Sequence, residues 1–486
     1  MTKCKYSKNS TEALSRTLNA TQKSRADAGN SSSPMKASPQ TSVEDLICIG
    51  FGPASLAIAI ALEDASTSPK VSFLERQSQF AWHSGMQLPG AKMQISFLKD
   101  LATPRNPRSK FTFINYLFSK NRLNTFINLD TFLPSRLEYE DYLRWCASHF
   151  EDRVSYGQEV LEVSPDLTLR NGKVAQFRVV SRDIVTGELS SRLARHVVIA
   201  VGGKGKVPAE LPQFHSKVVH SSKYSQQVAT ALPDQNKSYN IAVVGNGQSA
   251  AEIFNDLPAR YPNAKVTLII KGTALRPSDD SPFVNEIFDP ERVDGIFAEG
   301  AALREQRIKA DKATNYGVVR LGLLEHLYER FYMQRLKSED ERDWQVRLKT
   351  NRKVIRSKEV DGKLLLSFGK VVEDATPEGK EDLLVDAVFV ATGYERNAHE
   401  GMLIKTRGLL TEPARDLKKF PVRRDYKIAF DENKVAGNAG VWLQGCNEST
   451  HGLSDTLLSI LAVRGGELVQ SMFGSEAVEQ QVRAKL

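Results

Sequence analysis

The chain has 486 residues, enough for two or three domains with separate cores, and its 41% hydrophobic and 26% charged residues exclude collagen-like, fully disordered and mini-protein architectures. Its formal charge of +8 suggests a nucleic-acid partner until the charge is located. Residues 1–42 hold seven Lys or Arg against Glu12 and Asp27, which leaves a surplus of three over the other 444 residues, so neither a basic groove nor a nucleic-acid partner is expected. No apolar run reaches the ~18 residues of a spanning helix. No apolar stretch follows Met1 either, so membrane insertion and secretion are not expected and the protein is placed inside the cell. Cys4, Cys48, Cys146 and Cys446 show neither metal-ligand nor redox spacing and read as free thiols, with no metal site.

In chain order, residues 1–42 are rich in Ser, Thr, Asn and Lys and read as a disordered tail. Order begins at Asp45-Leu46-Ile47-Cys48-Ile49-Gly50-Phe51-Gly52-Pro53, a short apolar run ending in a glycine turn. Leu56, Ala57, Ile60 and Ala61 follow at helical spacing, so the spacing predicts a buried strand, a tight turn and a helix. A second copy begins 195 residues later at Ile241-Ala242-Val243-Val244-Gly245-Asn246-Gly247-Gln248-Ser249-Ala250. Each is completed by another strand, Val71 to Leu74 and Val266 to Ile270. Val197 to Val201 and Ala387 to Val390 end in small-residue turns and mark crossovers between two α/β units. The expected organisation is a first unit over 43–215, a second inserted over 216–390, and a return to the first over 391–486. A helical subdomain is expected near 280–350, where Leu321, Leu324, Leu327 and Phe331 share helical spacing.

Glycines at the first and third turn positions admit a pyrophosphate at a helix amino terminus. Gly50, Gly52 and Pro53 meet that demand, and Glu75, 25 residues after Gly50, ends the next strand where a carboxylate accepts from ribose hydroxyls. The second unit keeps Gly245 and Gly247 but ends its strand in Lys271, 26 residues after Gly245. An ammonium there attracts a 2'-phosphate, with Arg276 as a further candidate cation. The pair implies two Rossmann-like domains, the first for FAD and the second for NADPH. No cysteine pair serves disulfide reduction, so oxygen chemistry is favoured, in which dioxygen and the reduced flavin form a flavin hydroperoxide that oxidises a nucleophile. No side chain is assigned as catalytic acid or base.

Gly50 to Leu56, Gly245 to Ala250, Ala391-Thr392-Gly393-Tyr394-Glu395 and Asp455-Thr456-Leu457-Leu458-Ser459 resemble the microbial N-hydroxylating flavin monooxygenases. Lys92 to Leu101 and Arg276 to Glu286 resemble their fungal L-ornithine monooxygenases of hydroxamate siderophore synthesis. The resemblance implies hydroxylation of the side-chain δ-amine of L-ornithine with dioxygen. It implies FAD contacts from Trp82, His83, Met93, Gln94 and Asp455, NADPH contacts from Asn246, Gln248, Ser249, Asn315, Tyr316 and Gly317, and substrate contacts from Lys99, Asn285, Asn315 and Ser454. Lys271 stands where many relatives have arginine, which loosens the expected preference for NADPH over NADH. His83 is equally legible as a histidine packed on Trp82, Ser454 as a helix cap, and Asn285 and Asn315 as turn residues. A reacting amine of pKa ~10.4 must lose its proton, at a cost of about 4 to 5 kcal/mol at pH 7, so no Asp or Glu is expected at the reacting nitrogen. Lysine N-hydroxylation and NADPH oxidation without oxygen insertion are the alternatives. Relatives suggest a homotetramer. A cytoplasmic location is expected, with Ala484-Lys485-Leu486 resembling a relaxed peroxisomal address as the alternative.

Overall fold

Leu46, Ile47, Cys48 and Ile49 are each at most 2% exposed because the strand Glu44–Ile49 is covered on both faces. Leu46 and Cys48 join one core cluster, whereas Ile47 and Ile49 join another on the opposite face. A continuous apolar run is what such a strand needs, since successive side chains alternate between faces. This computed structural model describes residues 42–166, 169–371 and 378–483. Residues 1–41 of the tail expected over 1–42, Cys4 and Ala484-Lys485-Leu486 lie outside the described residues. Among the described residues no helix is long and apolar enough to cross a membrane, and Cys48, Cys146 and Cys446 are free.

The first sheet runs in the order Val154–Ser155, Val71–Leu74, Glu44–Ile49, Leu189–Ile199, Phe177–Asp183, Gln158–Pro165, and Gly440–Leu443 also pairs with Leu189–Ile199. Glu44–Ile49 lies parallel to both neighbours. The sequence located the strand Leu189–Ile199 only at Val197 to Val201. The structure begins it at Leu189, because its first half pairs antiparallel with Phe177–Asp183 while its second half lies parallel to Gly440–Leu443. The second sheet is wholly parallel, in the order Val346–Lys349, Lys265–Ile269, Asn240–Val244, Ala387–Val390, Val218–His220. Ile241 and Val243 face one core, Ala242 and Val244 another. An antiparallel meander of Arg352–Val360, Lys363–Lys370 and Glu378–Val385 stands beside it.

Over 280–350 the structure has short helices at Pro282–Asn285 and Val293–Ala298 and longer ones at Ala301–Asn315 and Leu321–Lys337. Its end departs from the expected helical region, because Val346–Lys349 is an edge strand of the second sheet. Leu327 is buried, with Leu324 and Phe331 packed on the second core. Leu321 is 58% exposed, so of the expected apolar stripe Leu324, Leu327 and Phe331 reach the core and Leu321 does not.

Candidate functional site

Gly50 adopts φ +89°, and a Cβ there would stand 2.7 Å from the Ala200 carbonyl oxygen. The neighbouring strand end therefore admits only glycine. Gly52 caps the helix Pro53–Asp64, with Pro53 in its first turn, and no atom lies within 4 Å of where its Cβ would be. The space beside the amino terminus of that helix is therefore open at Gly52, as a diphosphate there requires. The Gly50 amide donates to the Leu74 carbonyl at 2.8 Å, which sets Glu75 against the turn. The Glu75 carboxylate, 8% exposed, accepts from the Phe51 amide at 2.7 Å and the Gln77 amide at 2.8 Å. It thus fixes the turn as well as presenting an acidic strand tip.

The second turn repeats this geometry. Gly245 has φ +141°, and its Cβ would meet the Ala391 carbonyl oxygen at 2.3 Å. Gly247 caps the helix Gln248–Arg260, and the Gly245 amide donates to the Ile269 carbonyl at 3.1 Å. Lys271, two residues beyond, is exposed, as is Arg276, and neither side chain has an ion pair or hydrogen bond among the described residues. Asn246 Nδ2 donates to the Gly317 carbonyl at 3.3 Å, and Gln248 Oε1 accepts from the Arg320 amide at 2.9 Å. Residues 315–320 therefore fold over the turn, with Ser249 in the first turn of its helix.

Between the two units, Trp82 packs 5.9 Å from Tyr139, while the His83 ring lies 5.1 Å from Trp82 and 5.8 Å from Tyr394 of the second crossover. His83 has φ +46°, an unfavourable left-handed conformation for a residue with a side chain. Surrounding protein, and then Arg136 and Arg396, push its imidazole down to about 4, although the residue is exposed at the surface. Met93 is 4% exposed and belongs to the first core. Gln94 is exposed, and its amide has no partner among the described residues.

Lys99 Nζ lies 3.7 Å from Asp289 Oδ1, which brings the 92–101 segment to the helical region. Asn285 Nδ2 donates to the Asp280 carbonyl at 2.8 Å, so its amide serves a turn and leaves Oδ1 free to accept. Asn315 ends the helix Ala301–Asn315, with no side-chain partner among the described residues. Next to it, the Tyr316 hydroxyl bonds Glu448 at 3.0 Å and Thr456 at 2.9 Å. Burial and the Glu448 carboxylate raise that phenol, to about 12 overall.

The loop following Gly440–Leu443 carries Ser454, 1% exposed, whose hydroxyl has no hydrogen-bond partner among the described residues. It lies in the 3-10 turn Leu453–Thr456, while the long helix begins only at Leu461. Asp455 is held by the fold. One carboxylate oxygen accepts from the Asn447 amide at 2.7 Å, the other from the Arg464 guanidinium at 2.8 Å. Both side chains are at most 2% exposed, so its assigned cofactor contact competes with a role in shaping this loop. His451 is fully buried, stacked 4.2 Å from Tyr426. Its Nε2 lies 3.0 Å from the Arg424 carbonyl, which only accepts, so Nε2 carries the proton. Burial pushes this imidazole down to about 4.

Sequence reasoning missed Asp289, Glu448 and the buried pair Arg136–Glu252 at 2.8 Å, since each is defined by contacts between distant segments. The Asp289 and Glu448 positions do lie beside segments that the sequence singled out. Two glycine turns with free helix ends, one acidic and one basic strand tip, and an unpartnered buried hydroxyl suit two dinucleotides and a polar substrate.

Comparison with known proteins agrees with this geometry. The chain is 54% identical over 460 residues to an L-ornithine N(5)-monooxygenase of Emericella nidulans, covering 91% of this chain and 92% of that protein. The solved ornithine hydroxylase PvdA from Pseudomonas aeruginosa matches with TM-score 0.79 and 37% identity over 89% of this chain and 99% of that one. The ornithine N-hydroxylase KtzI of Kutzneria sp. 744, solved with reduced FAD, NADP+ and L-ornithine, matches with TM-score 0.80 and 33% identity, covering 89% of this chain and all of that one. Residues 42–396 match the L-lysine 6-monooxygenase/L-ornithine 5-monooxygenase family, and with both nucleotide turns in place the chain belongs to that family.

Proposed function

We propose that this chain hydroxylates the side-chain δ-amine of L-ornithine, using NADPH, dioxygen and FAD. The observation that carries the reading is the pair of equivalent glycine turns whose adjoining strands end in Glu75 and Lys271, one suited to the adenosine ribose of FAD and the other to the 2'-phosphate of NADPH. Ornithine is supported by the near full-length likeness to enzymes named for it. Gly50, Gly52, Pro53 and Glu75 hold FAD together with the Trp82 to Gln94 segment, and Gly245 to Ser249, Lys271 and residues 315–317 hold NADPH. The flavin supplies the two-electron chemistry with dioxygen.

The protein itself orients and desolvates the substrate. Lys99 takes the amino-acid carboxylate, because an ammonium and a carboxylate form a charge-assisted hydrogen bond. The free Oδ1 of Asn285 and the side chain of Asn315 fix the α-end. Ser454 offers its buried hydroxyl from the loop over the reacting end. That end must hold a neutral amine, so the site keeps carboxylates at the α-end and away from the nucleophile. The product hydroxylamine would feed hydroxamate siderophore assembly in the cytoplasm. A homotetramer is supported by the family resemblance and by a stripe of exposed side chains, Leu321, Tyr328, Tyr332 and Leu336, along one face of the helix Leu321–Lys337.

NADPH turnover with ornithine and with lysine side by side tests the function, with hydroxylated product and peroxide both quantified. Ornithine is expected to accelerate NADPH oxidation and to yield hydroxylamine in near-equal amount. If neither amino acid accelerates oxidation, or if all reducing equivalents end as peroxide, the reading is wrong.

A further inference from the structure

The carboxylate of Asp289 has one side-chain partner among the described residues, Lys99. Asp289 occupies the cap position of the 3-10 turn Pro290–Arg292, where an aspartate ordinarily bonds the backbone with its side chain. Here it makes no such bond, and only its main chain serves the turn, with its amide donating to Glu286 and its carbonyl accepting from Arg292, both at 3.1 Å. The side chain is aimed at the lysine instead. At 3.7 Å the contact is longer than the ~2.7–2.9 Å of a closed ammonium–carboxylate bond, and the two side chains are 34% and 44% exposed. Each charge therefore has an open side. The turn Glu286–Phe288, between Asn285 and Asp289, packs against Leu453–Thr456, so the segment that carries Asp289 is joined to the loop that carries Ser454.

The α-end of an amino acid carries adjacent charges of both signs. A cation and an anion side by side form its complement, and a zwitterion laid across them makes two attractive contacts where the resting pair makes one. We propose that Asp289 is a specificity-determining residue that takes the α-ammonium of the substrate while Lys99 takes its carboxylate, so that the site selects an α-amino acid over a simple ω-amino acid. The inference rests on the reading of Lys99 as the carboxylate partner. It also gives the site a division of charge, with an acid at the α-end and none at the amine that reacts.

Calorimetric titration of the FAD-loaded, NADP+-bound enzyme with L-ornithine and with 5-aminopentanoate, which lacks only the α-amine, tests this. Asp289→Asn is expected to weaken ornithine binding about tenfold, the scale of a lost hydrogen bond to a charged group, and to leave 5-aminopentanoate within about twofold. Lys99→Met is expected to weaken both ligands. Unchanged or tighter ornithine binding in Asp289→Asn would show that the aspartate is merely a resting counter-ion of Lys99, and an equal loss for both ligands would show that it acts through Lys99; either result overturns the assignment. Should Lys99→Met leave both ligands unaffected, the underlying reading of the site falls with it, a result distinct from failure of Asp289 alone.

Discussion

Lys271 is a single exposed ammonium two residues past a strand end, and its value to a nucleotide depends on one phosphate. Lys271→Ala should raise KM for NADPH about tenfold, with kcat and the NADH parameters little changed, in steady-state assays with each reductant. Lys271→Arg should lower KM for NADPH, because a guanidinium grips a phosphate with two parallel bonds. The tip residues were legible in the sequence since each follows an apolar run that fixes its own strand. Asp289 was not, because nothing in the sequence near 289 reports that Lys99 lies 3.7 Å away. His451 bears on stability. Its folded imidazole is depressed to about 4 by burial, whereas an unfolded histidine protonates near ~6.5. The fold holds the neutral form, so the stability it contributes is complete above pH ~6.5 and is lost as the pH falls through that window towards 4. Roughly 1 kcal/mol should be gone by pH 5.5. His451→Asn is expected to be less stable than the parent at pH 7.5 but to lose less between pH 7.5 and 5.5, as read by thermal melts in matched buffers.

Among the elements, the parallel strands were legible because burial on both faces demands unbroken apolar runs, as in Leu46 to Ile49 and Ile241 to Val244. The antiparallel pair Gln158–Pro165 and Phe177–Asp183 was not. Its outer strand has the burial pattern of an element covered on one side, and polar residues such as Gln158, Glu159, Glu162 and Ser164 make it read like a loop. Likewise the close packing of Pro53–Asp64 on Leu461–Arg483 has no signature beyond two adjacent glycines. A Cβ at Gly465 would stand 2.8 Å from the Ala57 carbonyl oxygen, which belongs to the other helix. Alanine is the better helix former by ~1 kcal/mol, so on propensity alone Gly465→Ala would stabilise. Backbone cannot retreat like a side-chain tip, and forcing the helices apart costs about 1–3 kcal/mol, enough to cancel or exceed that gain. The expected outcome is a lower melting temperature together with weaker FAD retention on gel filtration, because the displaced helix begins at the Gly52 turn. An increase in melting temperature would show that the two helices can separate without loss.

At the scale of the whole molecule, the two nucleotide units must be held in a fixed relation to each other, and the contacts that do this run along the seam between Ser84–Met86 and Ser222–Gln226 and through Arg136. A Cβ at Gly85 would meet the Ser222 carbonyl oxygen at 2.1 Å, and Ser225 and Gln226 bond Ser84 at 2.7 and 2.8 Å. This seam is locked by Arg136, whose guanidinium donates to the Met86 carbonyl at 3.2 Å and to Glu252 at 2.8 Å. With 15% and 8% of the two side chains exposed, the pair is largely removed from water. Glu252 also accepts from Gln248 at 2.9 Å, one residue past the Gly247 cap, so the lock reaches directly into the second nucleotide turn. Removing one member of such a pair strands the other charge, at a cost of about 3–5 kcal/mol, whereas replacing both by apolar groups is often near neutral. Glu252→Gln should therefore slow flavin reduction by NADPH in stopped-flow measurements while bound FAD per chain stays constant. The double variant Arg136→Met with Glu252→Met should recover part of that rate and of the melting temperature relative to the weaker single variant, the coupling expected of residues in direct contact. Simple additivity of the two single losses would mean that the ion pair does not set the docking of the units, and that the Gly85 seam holds them by itself.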